Sequence, residues 1–205
     1  MKLVRTLKFK LPPAVHRTAP GDRGGLHLSD IIKYILIKVD PKRFGRMDID
    51  RATQLRWLAG FCWEDIFSKA LYKQLHPKRP RKQKAILFRG VWMTPDFLHT
   101  AGSRKTIEET KFTWSSSNRG ITDPFYRHYL WQVMGYCLAH ETHRARLDVF
   151  YAMGDYRGSG PQAKSYEFRF STSDLIRNWR MIERYKEPAR RWLAKTRKEA
   201  LAYVA

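Results

Sequence analysis

An aspartate closes Met93-Thr94-Pro95-Asp96, and thirteen residues later a Glu-x-Lys appears in Ile107-Glu108-Glu109-Thr110-Lys111-Phe112. In an extended run, side chains alternate faces, so Glu109 and Lys111 share one face while Glu108 and Thr110 take the other. Asp96 begins the preceding strand-like segment, which as an antiparallel neighbour would bring it beside Glu109. Two carboxylates held that close repel each other, and their approach is costly without a cation. Mg²⁺ (or Mn²⁺) relieves this with hard oxygen ligands: one or two carboxylates, waters and a substrate phosphate. Such an ion polarises a phosphodiester, acidifies a bound water and steadies a leaving oxygen. Lys111 is placed to orient that water or to offset developing charge. Taken singly, Asp96 could instead cap a turn after Pro95, and Glu109 and Lys111 could form an exposed strand pair. The apolar Ile107, Phe112 and Trp114 point to a largely buried strand, where unpaired charge is costly.

Chemistry on a phosphodiester needs a surface that attracts one. The chain of 205 residues carries 40 lysines and arginines against 19 acids, a net charge of +21. That is a statement about polyanionic partners, DNA first among them. An anionic membrane is the weaker partner, because no run approaches the roughly 18 apolar residues of a spanning helix. Residues 66–95 hold eight lysines or arginines and no acid. The densest part, Lys78, Arg79, Arg81, Lys82 and Lys84, is a candidate phosphate-tracking segment, with a localisation signal or a solvated loop as the alternatives. A second candidate DNA contact is Ser115, Ser116 and Arg119, whose hydroxyls and guanidinium suit phosphates.

Length, 43% hydrophobic content and 14% aromatic content fit one packed domain spanning 1–205, with a core about 26–172 and a basic helical segment at 173–205. The thiols Cys62 and Cys137 read as buried and reduced. Without a Cys-x-x-Cys, neither a zinc ribbon nor a single-chain four-cysteine iron–sulfur cluster fits. The first residues lack the apolar stretch of a secretory signal. They are free of acid, faintly like a mitochondrial presequence, but Pro12-Pro13 and the scarcity of serine oppose that reading. The location expected is the cytoplasm of a bacterial or phage-infected cell.

The elements that would position Asp96, Glu109 and Lys111 follow from periodicity. Ser29 reads as the N-cap of a short helix. Leu55, Leu58, Cys62, Ile66 and Ala70 stripe a helix over 51–75 that ends at His76-Pro77. Residues 85–93 are β-rich, 97–100 and 106–114 read as strands, and 123–142 as a helix opened by Asp123-Pro124. Two strands at 146–153 and 164–172 flank a glycine-rich turn, and 173–205 reads as a helix with a break at Pro188. His140-Glu141-Thr142-His143 reads as a solvated helix end rather than a zinc motif.

The set Pro95-Asp96, Glu109-Thr110-Lys111 and Gln132-x-x-x-Tyr136 resembles the PD-(D/E)XK nuclease superfamily, in its RecB-like and phage-type exonuclease branch. Gln132 and Tyr136 stand four apart on a helix and share a face. Glu64, with Gly60 one turn before it, matches the acidic residue this family places on the upstream helix. The resemblance covers about 26–155 and implies an α/β, restriction-endonuclease-like three-layer fold around a mixed sheet of about five strands. It further implies metal ligation by Asp96, Glu109, Glu64 and the Thr110 carbonyl, catalysis by Lys111, and substrate contact by Gln132 and Tyr136. Many relatives carry a histidine on the first helix. Nothing near Glu64 supplies one, and His27 and His76 are the upstream candidates. The expected activity is Mg²⁺- or Mn²⁺-dependent hydrolysis of DNA, foremost as an exonuclease on double strands. An endonuclease on branched, flapped or specific-site DNA uses the same site, and a silent nucleic-acid-binding protein is the alternative from another class. Rings occur among relatives, so a homo-oligomer stays open.

Overall fold

A computed structural model of the chain describes residues 24–45, 55, 58–60, 62, 84–158 and 160–204, with side chains described as far as 196. Helix α1 (Leu28–Val39) buries Leu28, Ile31, Ile32 and Ile35, the stripe that a 3.6-residue period dictates. A short turn of helix, α2 (Pro41–Phe44), follows directly, with Asp40 as its cap and Pro41 in its first turn. Four strands come next: β1 (Ile86–Phe88), β2 (Val91–Met93), β3 (Phe97–Ala101) and β4 (Arg104–Thr113). A 3-10 turn at Pro124–Tyr126 leads into α3 (Arg127–Ala139). Then come β5 (Arg144–Tyr151), β6 (Gln162–Arg169) and the long α4 (Thr172–Val204).

The main sheet has the order β3-β4-β5-β6, while β1 and β2 form a separate hairpin. The pairing β3–β4 is antiparallel, β4–β5 parallel and β5–β6 antiparallel. A parallel pair needs a crossover, and α3 is that crossover. It therefore packs on the face of β4 and β5 that carries Glu109 and Lys111. Helices α1, α3 and α4 pack against one another over this face, with Val133, Tyr136, Trp179 and Ile182 buried among them. Gly135 allows the close approach: a Cβ there would lie 2.7 Å from Leu28 Cδ2. On the opposite face, Phe112 stacks on Phe150, and helical Gly60 lies against Phe112.

Several expectations need correction. The mixed sheet has four strands rather than about five, because 85–93 folds into its own hairpin. Arg89 and Gly90 both take positive φ (49° and 77°), the geometry of a tight turn whose twist suits a two-residue hairpin. The N-cap of α1 is His27, not Ser29. The His27 N–H donates to Asp30 Oδ2 (3.0 Å), which holds the first turn two residues earlier. Helix α4 runs through Pro188 without a break, since Ala189 and Leu193 are buried and hold the following turns. Cys137 is buried as expected, but Cys62 is exposed. His140 and Thr142 are buried rather than solvated, because the chain turns back there into β5 and Thr142 Oγ1 donates to the Lys105 carbonyl (2.6 Å). Of the helix expected over 51–75, residues 55, 58–60 and 62 are described and are helical, and the basic run 78–82 lies outside the described residues.

Candidate active site

Phe97 pairs with Glu108 across the β3–β4 ladder, and continuing that register by one residue sets Asp96 opposite Glu109. The Asp96 N–H donates to Glu109 Oε2 (3.2 Å). The Asp96 carboxylate is itself held by Thr110, whose N–H (2.8 Å) and hydroxyl (2.7 Å) both donate to Oδ2. Lys111 Nζ donates to Glu109 Oε1 at 2.5 Å. Thus two carboxylates and one ammonium occupy one spot on the sheet, and Glu109 is only 3% exposed. Burial, then the neighbouring Asp96 charge, raises the Glu109 pKa to about 7 despite Lys111. Burial works against the Lys111 ammonium, but Glu109 and Asp96 outweigh it and hold its pKa above the ordinary value. The ammonium is therefore a fixed positive charge, not a base.

Helix α3 covers this spot. Gln132 Nε2 donates to the Tyr136 hydroxyl (2.8 Å), so the phenol proton is left for an acceptor elsewhere. Burial, followed by Glu109, raises the Tyr136 pKa, and the hydroxyl stays protonated. Tyr129, two helical turns before Tyr136 on α3, presents its ring 6.0 Å from Lys111 Nζ. The His128 ring lies 4.2 Å from that of Tyr129, and burial, with Lys111 and Arg43 nearby, lowers its pKa to about 4.

The arrangement brings Asp96, Glu109, Thr110 and Lys111 together beneath the helix that bears Gln132 and Tyr136. Glu64, Lys78, Arg79, Arg81, Lys82 and His76 lie outside the described residues. Lys84 and Arg119 are exposed, while Ser115 and Ser116 are half-buried turn residues. The Ser115 N–H donates to Thr113 Oγ1 (3.1 Å), and Ser116 Oγ accepts from the Asn118 N–H (3.2 Å). His27 caps α1. Sequence reasoning missed the Thr110 hydroxyl as the group that orients Asp96, and it missed His128 and Tyr129 beside Lys111. A threonine between the Glu and the Lys of a strand was the available signal for the first.

The donor set suits a divalent cation. Asp96 and Glu109 offer hard carboxylate oxygens close enough for the Asp96 charge to act on Glu109, and Lys111 is the described cation that offsets the Glu109 charge. Among the described residues no cluster of three or more His, Cys, Asp or Glu occurs. A small hard cation does not require one, since Mg²⁺ is commonly held by one or two carboxylates with waters and phosphate completing its shell.

No protein-family model matches the chain, and no curated protein sequence does. Solved structures similar to it include an alkaline exonuclease from Laribacter hongkongensis, 12% identical, with 87% of this chain and 92% of that one covered at a TM-score of 0.48. The same enzyme in complex with dAMP gives 12% identity, coverage of 89% and 95%, and a TM-score of 0.46. A phage-related exonuclease from Haemophilus somnus 129PT is 14% identical, with 84% and 83% covered and a TM-score of 0.45. At these values the likeness carries no functional weight, and the reading below stands on Asp96, Glu109 and Lys111.

Proposed function

We propose that this chain is a divalent-cation-dependent deoxyribonuclease of the PD-(D/E)XK type, acting as an exonuclease on double-stranded DNA. The observation that carries the reading is Glu109 accepting from both the Asp96 N–H and Lys111 with the Asp96 charge acting on it. Asp96 and Glu109 would hold Mg²⁺ or Mn²⁺, with the Thr110 carbonyl and Glu64 as further ligands. The ion supplies Lewis acidity and an acidified water. Lys111 contributes a permanent positive charge for a phosphate oxygen, in a site where burial strengthens it. Tyr136, neutral and already accepting from Gln132, serves as a hydrogen-bond donor. Thr110 fixes the Asp96 carboxylate so that it needs no reorganisation. The net charge of +21 supports a DNA substrate. The Gln132–Tyr136 pair supports the exonuclease branch. Lys78, Arg79, Arg81, Lys82, Lys84, Ser115, Ser116 and Arg119 remain the proposed DNA contacts.

The test is cleavage of linear and covalently closed circular double-stranded DNA with Mg²⁺, Mn²⁺ or EDTA. Loss of linear DNA alone, with either ion and not in EDTA, is the expected result. Cutting of the closed circle moves the reading to an endonuclease on the same site. Tight, salt-dependent binding without products under any ion would leave a non-catalytic nucleic-acid-binding protein.

A further inference from the structure

Beside the catalytic face, α1, α2, the 3-10 turn, α3 and α4 enclose a cleft of about 820 Å³. Five arginines line it: Arg43, Arg119, Arg127, Arg180 and Arg184. Its two acids bond backbone, and Asp40 also favours the Arg43 charge, which leaves the arginines in excess. Asp40 accepts from the Arg43 N–H (3.1 Å) and Asp123 from the Phe125 N–H (2.7 Å). The ion pairs among the described residues involve none of these arginines. Two of them nevertheless converge: the Arg43 guanidinium lies 3.6 Å from the Phe125 ring centroid and that of Arg119 lies 4.8 Å from it. Like charges gathered on one ring are mutually destabilising unless an anion joins them. The ring supplies cation–π attraction but no charge.

The lining also contains aromatic groups, Trp131 and Tyr185 in addition to Phe125. Guanidinium groups beside aromatic faces suit a strand whose bases are unpaired. Phosphates meet the arginines, and bases stack on rings or guanidinium planes, as a duplex with its bases paired inside cannot. The cleft also reaches the catalytic face. Phe44 and His128, both in its lining, have ring centroids 6.4 Å apart. His128 adjoins Tyr129 at 4.2 Å, and Tyr129 lies 6.0 Å from Lys111 Nζ. The geometry points to this cleft as a binding site for a single-stranded DNA segment continuous with the strand at the Asp96–Glu109–Lys111 site. The inference rests on the nuclease reading for what that strand is doing there, but binding can be measured without cleavage.

The experiment is fluorescence anisotropy in EDTA with a labelled oligo-dT of about twelve nucleotides, within the usual span of single-strand sites, and a labelled duplex of equal length. The full chain is compared with an Arg43→Ser/Arg119→Ser double variant and with Arg43→Lys. Both arginines are exposed, and equal melting temperatures verify folding. The double variant is expected to lose tenfold or more in oligo-dT affinity, with a salt slope smaller by about 1.4, roughly 0.7 per single-strand phosphate contact. Duplex affinity should fall at least threefold less than oligo-dT affinity, Arg119 being also a proposed duplex contact, and Arg43→Lys should keep the salt slope. Unchanged oligo-dT affinity, or an equal loss on both probes, overturns the inference. If the wild type cleaves nothing with Mg²⁺ while the selective loss on oligo-dT persists, the nuclease reading fails and the single-strand site stands.

Discussion

The parallel pair of β4 and β5 buries three carboxylates, Glu109 on one face and Glu108 and Asp148 on the other. Glu109 lies opposite Leu147, and Asp148 lies opposite Thr110. Each is 3% exposed. Asp148 has its own cation and a hydroxyl: Arg146 Nε donates to Oδ1 at 3.0 Å and Ser165 Oγ donates to the same oxygen. Glu109 has Lys111, but Lys111 also answers for Asp96. Asp148 therefore sits in its own ion pair, whereas Asp96 and Glu109 share one ammonium. Burial alone does not mark a functional carboxylate. What distinguishes Glu109 from Asp148 is a second carboxylate, Asp96, that acts on it and shares its cation, a condition a divalent cation would relieve.

The largest expected effect separates the two faces outright. Glu109→Gln should reduce metal-dependent cleavage by 10³ or more, as should Lys111→Ala. Asp148→Asn should leave cleavage within about tenfold and instead cost about 1–3 kcal/mol of stability, the usual range for orphaning a buried partner. Parallel cleavage assays and urea denaturation read both axes. If Asp148→Asn abolished cleavage at unchanged stability, the two faces would not differ as described.

Packing of α3 supplies the next effect. Gly135→Ala would push a methyl to within 2.7 Å of Leu28 Cδ2, and overpacking of this kind costs about 1–3 kcal/mol. The melting temperature should fall by several degrees. Cleavage measured well below that temperature should fall less than it does for Glu109→Gln.

A smaller difference concerns pH. The folded-state pKa of Glu109 is raised from 4.5 to about 7, so the folded protein binds this proton more tightly than the unfolded chain. In EDTA, its contribution to stability is fully present below about 4.5 and is lost as pH rises towards about 7. Glu109→Gln removes that contribution, so the stability gap between wild type and variant should change across this window and be flat above it. Denaturation midpoints at pH 5, 6, 7 and 8 check this, and a gap constant with pH contradicts it.

The smallest effect is Thr110→Val. The hydroxyl bond to Asp96 disappears while the Thr110 N–H bond remains. A single hydrogen bond contributes about 0.5–1.5 kcal/mol to stability, so the melting temperature should fall by a few degrees at most and cleavage should slow several-fold.

The neighbourhood of Asp96 and Glu109 was legible in the sequence because a strand fixes which side chains share a face. Thr106–Trp114 as expected and Arg104–Thr113 as found differ only at the ends. The crossover helix was equally readable from its period and from Asp123-Pro124. Less legible were features that depend on a partner distant in sequence. Thr110 holds Asp96 only once β3 and β4 pair. The hairpin at 86–93 turns on Arg89 at positive φ, a conformation its residue type does not announce, and Gly90 was the lone signal. Pro188 argues locally for a break, yet the burial of Ala189 and Leu193 outweighs it. The arginine cleft draws on five separate elements, so no stretch of sequence displays it.

The central claim, that Asp96 and Glu109 share one ammonium, a condition a divalent cation relieves, is tested most directly by titrating the DNA-free protein with Mn²⁺ by calorimetry. The wild type is expected to bind saturably at pH 8, with binding lost in Glu109→Gln and retained in Asp148→Asn. Equal Mn²⁺ binding by wild type and Glu109→Gln would contradict it.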